Sequence, residues 1–201
     1  MAHEYVTAED LKTQLGIDPD DATKDARAAR AVRAASRGID RATGRPGHGF
    51  WLDEQPVART YQLDGRIVRA RLGDVLLVDE IGDTTGMLVE IGSGDSWSAV
   101  TGYETYPDNA LADGRPVTGL LRLGSTWGTA SARVRVTARF GWPEVPDDIA
   151  EAALIQASRL FKRADSPEGV MGSSEWGVVR LSRRDPDVWN LIEPYRLDGF
   201  A

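Results

Sequence analysis

Residues 140–163 read FGWPEVPDDIAEAALIQASRLFKR. The stretch leaves a strand-like run, passes two prolines and becomes a helix with an apolar stripe. Pro146 suits the first helical position, because a helix start leaves that N–H unpaired in any case. Asp147 and Asp148 place negative charge in the first turn. Arg159, Lys162 and Arg163 place positive charge towards the last, so both ends match the helix dipole. Ile149, Ala153, Leu154, Ala157, Leu160 and Phe161 recur at helical spacing and predict a buried stripe. Such a helix is a scaffold element that needs a partner to cover it.

The partner lies upstream. Residues 21–44, DATKDARAARAVRAASRGIDRATG, predict a second long helix. At 100° per residue, Ala28, Val32, Ala35 and Ile39 fall on one side, and their small side chains permit close helix approach. Arg27, Arg30, Arg33, Arg37 and Arg41 fall on the other. That stripe has three readings: a solvated face, a contact with an acidic neighbouring subunit, or a contact with DNA phosphates. Gly44 and Pro46 end the helix, and GRPGHGF (44–50) is a loop. A shorter helix precedes it in VTAEDLKTQLGI (6–17), with Thr7 as N-cap, Glu9 and Asp10 in its first turn, and Gly16 as its stop.

Between the two long helices, residues 57–140 change character. SARVRVTARF (131–140) is the cleanest strand. Ala132, Val134, Val136, Ala138 and Phe140 alternate with Arg133, Arg135, Thr137 and Arg139, giving one buried face and one wet, basic face. Asp64-Gly65 stands between two strand-like runs and predicts a hairpin. DVLLVDEIG (74–82) and GMLVEIG (86–92) read as separate strands, broken by Gly and Thr. With SWSAVTGYETYP (96–107) and RPVTGLLRL (115–123), six or seven strands are expected. After the scaffold helix, residues 164–177 are loop-like and VVRLSRR (178–184) suits a short strand. DPDVWNLIEPYR (185–196) predicts an amphipathic segment striped by Val188, Leu191, Ile192 and Tyr195, too short to be stable alone.

The expected fold class is therefore α+β. It is a small helical bundle, made of N-terminal helices and helix 147–163, with an inserted antiparallel β unit and an extended C-terminal arm. The expected divisions are 1–50 for the N-terminal helices, 57–140 for the β insert, 141–177 for the core helix and its loop, and 178–201 for the arm.

Composition narrows the function classes. The chain has 201 residues, 41% of them hydrophobic and 27% charged, with a formal net charge of −7. That acidity argues against wholesale neutralisation of DNA phosphates. There is no cysteine, which removes disulfides, thiolate zinc sites and thiol catalysis. The N-terminus lacks a signal-peptide pattern, and no apolar run approaches the roughly 20 residues of a membrane span. The two histidines, His3 and His48, lie in a terminal segment and a glycine-rich loop with no metal-ligand spacing. GRPGHGF and GSGDS lack the lysine and helix of a phosphate cradle, and GSSEWG lacks the nucleophile-elbow pattern. Asp18, Asp20, Asp21 and Asp25 lack the glycine and glutamate of a calcium loop and read as a helix-start acid cluster. Trp97, Tyr103, Tyr106 and Trp127 could line a sugar groove, though strand aromatics are more often core. No catalytic, metal or cofactor residue is expected, and no cofactor.

The order of parts carries a resemblance. A short helix and an Ala/Arg helix ending in IDRATGRP precede a β insert. VRVTARFGWPEVPDDIAEAALIQASRLFKR, SPEGVMG and WGVVRLSRRDPDVWNLIEPYR follow. This resembles the head-to-tail adaptor (head-tail connector) proteins of long-tailed, actinobacterial-type phages and prophages, over nearly the whole chain. The resemblance implies a structural virion protein with no enzymatic activity. Such a protein would be assembled in the host cytoplasm into a ring, usually dodecameric, under the portal protein. The ring would extend the DNA channel, pass genomic DNA without sequence-specific binding, and dock the next connector, the stopper.

The C-terminal segments of such adaptors engage the portal, which points here to Arg180, Arg183, Arg184, Trp189, Leu191, Ile192, Tyr195 and Arg196. The arginine stripe from Arg27 to Arg41 becomes a candidate subunit interface. Two alternatives stay open: a stopper or tail-completion protein of the virion, and a carboxylate-based hydrolase using acids of the β segment.

Overall fold

The computed structural model describes residues 3–129, 132–163, 170–171, 179–180 and 185–197. The chain divides into two units, one of Met1–Gly49 with Val145–Ala201 and one of Phe50–Glu144. The fold is mixed α+β, with helices at both ends of the chain and an antiparallel sheet between them in sequence.

In the first unit, α1 (Ala8–Gln14) starts with a capping box. The Asp10 N–H donates to Thr7 Oγ1 at 3.0 Å, and the Thr7 N–H donates to Asp10 Oδ2 at 2.8 Å. This satisfies two N–H groups that a helix start otherwise leaves unpaired. Asp21 caps a 3-10 turn, Ala22–Lys24, and α2 (Asp25–Ala42) begins only after it. The helix pattern read from Asp21 onward thus splits into a tight turn and an α-helix. The buried Lys12 ties the two together, pairing with Asp25 at 2.6 Å and donating to the Pro19 carbonyl.

Helix α3 (Asp147–Arg163) has the predicted bounds, with Pro146 one position outside. The Pro146 carbonyl accepts from the N–H groups of Ile149 and Ala150 at 3.0 and 3.2 Å. Leu11, Ala28, Ala31, Val32, Ala35, Ala157 and Phe161 form one core, with Leu154 and Leu160 half-buried against it. The alanines bring α2 and α3 close, as small residues at a helix crossing allow. They run antiparallel. Arg27 near the start of α2 stacks on Phe161 near the end of α3, and the residues after α2 reach those that contact Asp148.

The C-terminal segment carries short elements of its own. Val170–Met171 and Val179–Arg180 pair as a two-residue antiparallel ladder, β8 and β9. Asp185 then caps α4 (Pro186–Ile192), accepting from the N–H groups of Asp187 and Val188 at 2.9 and 3.3 Å. A 3-10 turn, Glu193–Tyr195, follows. Rather than projecting freely, residues 185–197 lie against the chain's own helices, with α4 packed on α3. Val188 and Ile192 are buried.

The second unit is built around one strand. β1 (Val57–Gln62), β2 (Ile67–Ala70), β3 (Gly73–Ser93), β4 (Ser96–Ala99), β5 (Glu104–Tyr106), β6 (Val117–Leu123) and β7 (Arg133–Phe140) form a seven-stranded antiparallel sheet among the described residues. Its path is β1-β7-β3-β6-β5, with β2 and β4 also paired to β3. The two strands expected at 74–82 and 86–92 are one strand of 21 residues. Its glycines and threonines do not break it. Gly82, Thr84, Thr85 and Gly86 sit where its register shifts against β7, between Ile81 and Leu88; against β6 the register shifts between Leu77 and Ile81.

Before the shift β3 pairs with β2 and β6, and after it with β4 and β7. Bulges of this kind bend a strand and let it pass from one sheet half to another. The two halves share one core, which includes Leu76, Val78, Ile81, Val89, Leu120, Trp127, Val134, Val136 and Phe140.

The hairpin expected at Asp64-Gly65 is also absent as such. Its flanking strands do not pair with each other: β1 pairs with β7 and β2 with β3. Tight hairpins occur instead at Arg71-Leu72 and Gly94-Asp95, each flanked by directly paired residues. After β7 the chain turns at Gly141, φ +116°, where a Cβ would come within 2.9 Å of Leu52 Cα. Only glycine satisfies both the left-handed backbone and that approach.

Candidate assembly surfaces

The alternation of β7 holds: Val134, Val136, Ala138 and Phe140 are buried, and the intervening side chains point outward. The basic face is nonetheless largely neutralised. Arg135 pairs with Glu90 at 2.8 Å and stacks over Trp97, while Arg139 pairs with Asp83 at 2.8 Å and donates to the Asp53 carbonyl at 2.7 Å. Arg59, on the adjacent strand, pairs with Asp79 at 3.0 Å. The Arg135 hydrogen bond lowers the pKa of Glu90, and hydrogen bonds from Thr85, then Arg139, lower that of Asp83. These guanidinium groups already have anionic partners, so the face is no open phosphate-binding stripe.

The aromatics proposed for a sugar groove do not form one. Trp127 is fully buried, its Nε1–H donating to the carbonyls of Asp74 and Leu120 at 3.0 and 3.2 Å. Tyr103 packs against it and Trp97 lies under Arg135. Burial and the Asp79 carboxylate push the Tyr61 hydroxyl pKa well above its usual value, as for a core phenol. GSGDS forms the β3–β4 turn, and GSSEWG lies outside the described residues. Among the described residues no group of three His, Asp or Glu side chains is placed to hold a metal ion. No described helix is long and apolar enough to cross a membrane.

The arginine stripe of α2 divides in two. Arg27 stacks on the Phe161 ring, 4.2 Å from its centroid, and donates to the Phe161 carbonyl. Arg37 pairs with Asp40 at 3.0 Å and donates to the His3 carbonyl. These two hold the helical unit together. Arg30, Arg33 and Arg41 are exposed; Arg33 has Glu4 at 4.0 Å, and Arg41 lies near enough to Asp40 for its charge to favour that carboxylate. The outward side of α3 carries the opposite charge at its N-terminal end, where Asp147, Asp148 and Glu151 are exposed. Tyr195 donates to Asp148 at 2.9 Å, which brings exposed Glu193 to the same end.

Of the proposed portal residues, Ile192 is 2% exposed, a core side chain of its own chain rather than a free contact. Tyr195 is engaged at both ends, its carbonyl accepting from Arg45 and its hydroxyl donating to Asp148. The Leu197 N–H donates to the Thr43 carbonyl at 3.0 Å, and Arg159 pairs with Asp185 at 3.1 Å. Trp189 and Leu191 are half-buried, and Arg196 is exposed with its guanidinium 5.0 Å over the Trp189 ring. Only the backbone of Arg180 is described, and Arg183 and Arg184 lie outside the described residues. The scaffold residues Ile149, Ala153, Ala157 and Phe161 are buried as expected.

Sequence reasoning missed the polar centre of the helical unit. Asp40 is buried, accepts from the Tyr5 hydroxyl and pairs with Arg37. Burial raises its carboxyl pKa, against the opposing pull of Tyr5 and Arg37. Gly49, φ +68°, fits because a Cβ there would stand 2.7 Å from Asp40 Oδ1. The one available signal was an acid three residues from an arginine near the end of an Ala/Arg-rich helix.

No protein-family model matches the chain, and no curated protein does. Solved structures do. One match is to a chain in the neck of an empty gene transfer agent (GTA) particle computed with C6 symmetry. It has 19% identity and a TM-score of 0.50, covering 98% of this chain and 92% of that one. Another is to a chain in the virion of a native gene transfer agent particle, with 18% identity, a TM-score of 0.52 and the same coverage. At these identities the likeness establishes a shared fold.

Proposed function

We propose that this chain is a structural subunit of a head–tail neck, an adaptor that forms a ring under a portal protein, extends the DNA channel and docks the next connector. The observation that carries the reading is the shared fold with chains of phage-like particles, one of them a neck, across 98% of this chain. The particle with C6 symmetry favours a ring whose copy number is a multiple of six, which includes the dodecamer. A subunit of net charge −7 would let DNA pass rather than adhere.

Portal contact is assigned to the C-terminal segment as docked: Trp189, Leu191 and Arg196 at its surface, with Arg180, Arg183 and Arg184 before it. Ile192 and Tyr195 act indirectly, by seating that segment.

The test is to mix the purified protein with portal rings of its own particle and image them. A second ring beneath the portal is expected, lost in Arg183→Glu/Arg184→Glu and weakened in Trp189→Ala. Truncation at Gly177 is the poorer test, because it uncovers the surface that Val188 and Ile192 bury. No association with the portal, together with no self-association, would refute the reading.

A further inference from the structure

We infer that neighbouring copies of this chain pair through the helical unit, the C-terminal half of α2 in one copy lying over the N-terminal end of α3 in the next. This rests on the ring reading and names the surface that closes the ring.

A ring demands two different, complementary patches on each subunit, because its contacts are head-to-tail. The helical unit has two such patches, on opposite sides of one helix pair. α2 turns Ala28, Ala31, Val32 and Ala35 towards α3, so Arg33, Ala34 and Arg41 face away from it. α3 turns Ile149, Ala153 and Ala157 inward, so Asp147 and Glu151 face away from α2. The first patch is basic and holds the exposed alanine Ala34, which lets a second helix approach. The second is acidic, reinforced by Glu193.

The occupant is a second copy of the chain rather than DNA. Phosphate recognition explains the arginines alone and leaves the matching acids on the far side without a role. A two-fold dimer is disfavoured, since it would bring like charges together.

The register follows from the remaining charges. Lys162 and Arg163 are exposed at the C-terminal end of α3 and repel the α2 stripe. The pairing that avoids them sets Arg33 and Arg41 against Asp147, Glu151 and Glu193. Arg27 and Arg37 take no part, because each is half-buried and hydrogen-bonded to a carbonyl within its own copy, whereas Arg33 is exposed with only Glu4 at 4.0 Å.

The test uses two charge-reversed full-length proteins. R33E/R41E carries acid on both patches, and D147K/E151K carries base on both. The reversed positions are exposed and distant from the core. Self-association is read by sedimentation velocity at high protein concentration in low salt and by electron microscopy, with circular dichroism confirming that each variant is folded.

Each variant alone is expected to self-associate about tenfold more weakly than wild type, or less. The equimolar mixture should recover wild-type association, because acid then meets base at every junction around an alternating ring. If wild type assembles and either variant assembles as well as it does, the ring reading stands and this interface is overturned. Failure of the mixture to recover, with both variants folded, overturns it too. If wild type forms no multimer alone or on the portal, the ring reading falls, and this inference with it.

Discussion

Replacing Ile192 with alanine should release residues 185–197 from the helical unit while leaving the rest folded. The side chain is 2% exposed, at the last position of a seven-residue helix. A helix so short has no stability of its own, so only docking orders it. The substitution removes three carbons, worth about 0.8 kcal/mol each, and leaves a partly collapsed cavity, for a total of about 3 kcal/mol. That corresponds to roughly a 150-fold rise in the undocked population.

The assay is hydrogen exchange at the Leu197 N–H, which donates to the Thr43 carbonyl at 3.0 Å, alongside limited proteolysis within 185–197. Both should accelerate by about two orders of magnitude, while exchange in α2 and α3 changes little. If Leu197 exchange speeds up less than tenfold while the global unfolding free energy falls by the whole amount, the segment is part of one cooperative unit. Docking of residues 185–197 would then not be separable from global folding.

Three further outcomes are expected. Arg27→Ala should cost about 1–2 kcal/mol in urea unfolding, through the lost stacking on Phe161 and the lost bond to its carbonyl, whereas Arg30→Ala should stay within about 0.5 kcal/mol. Gly141→Ala should destabilise the protein by about 3 kcal/mol or more, because φ +116° is strained for alanine and its Cβ would clash with the 51–52 backbone; equal thermal stability would contradict that turn. Asp40 has a raised folded-state pKa, so its contribution to stability is fully present below the unfolded value near 3.8 and is lost as pH rises through the folded one. The stability of Asp40→Asn relative to wild type should therefore improve from acid to neutral pH, as read by urea titrations at both, and a constant difference would rule out titration of Asp40.

What the sequence determined is what depends on neighbours along the chain. Helix α3 has its predicted bounds because its acids, basic end and 3.6-residue stripe are all local signals, and Pro146 differs by one position. The buried side of α2 and the alternation of β7 follow from periodicity in the same way. Tertiary structure decided whatever depends on a distant partner. Thr84, Thr85 and Gly86 read as a break, yet β6 and β7, more than 25 residues onward, hold both halves of β3 and turn the break into a bend. Asp64-Gly65 has hairpin chemistry, but the backbone groups beside it bond elsewhere, to β7 and β3.

Charge patterns were the least legible, because a stripe of arginines does not encode which of them find acids. Arg27, Arg30 and Arg37 are alike in sequence, and only the arrival of Phe161 and of the His3 carbonyl makes two of them structural and leaves the third exposed. The amphipathic tail shows the same limit. Its stripe declared that it must dock, and the seat between the end of α2 and the start of α3 exists only once those helices have packed.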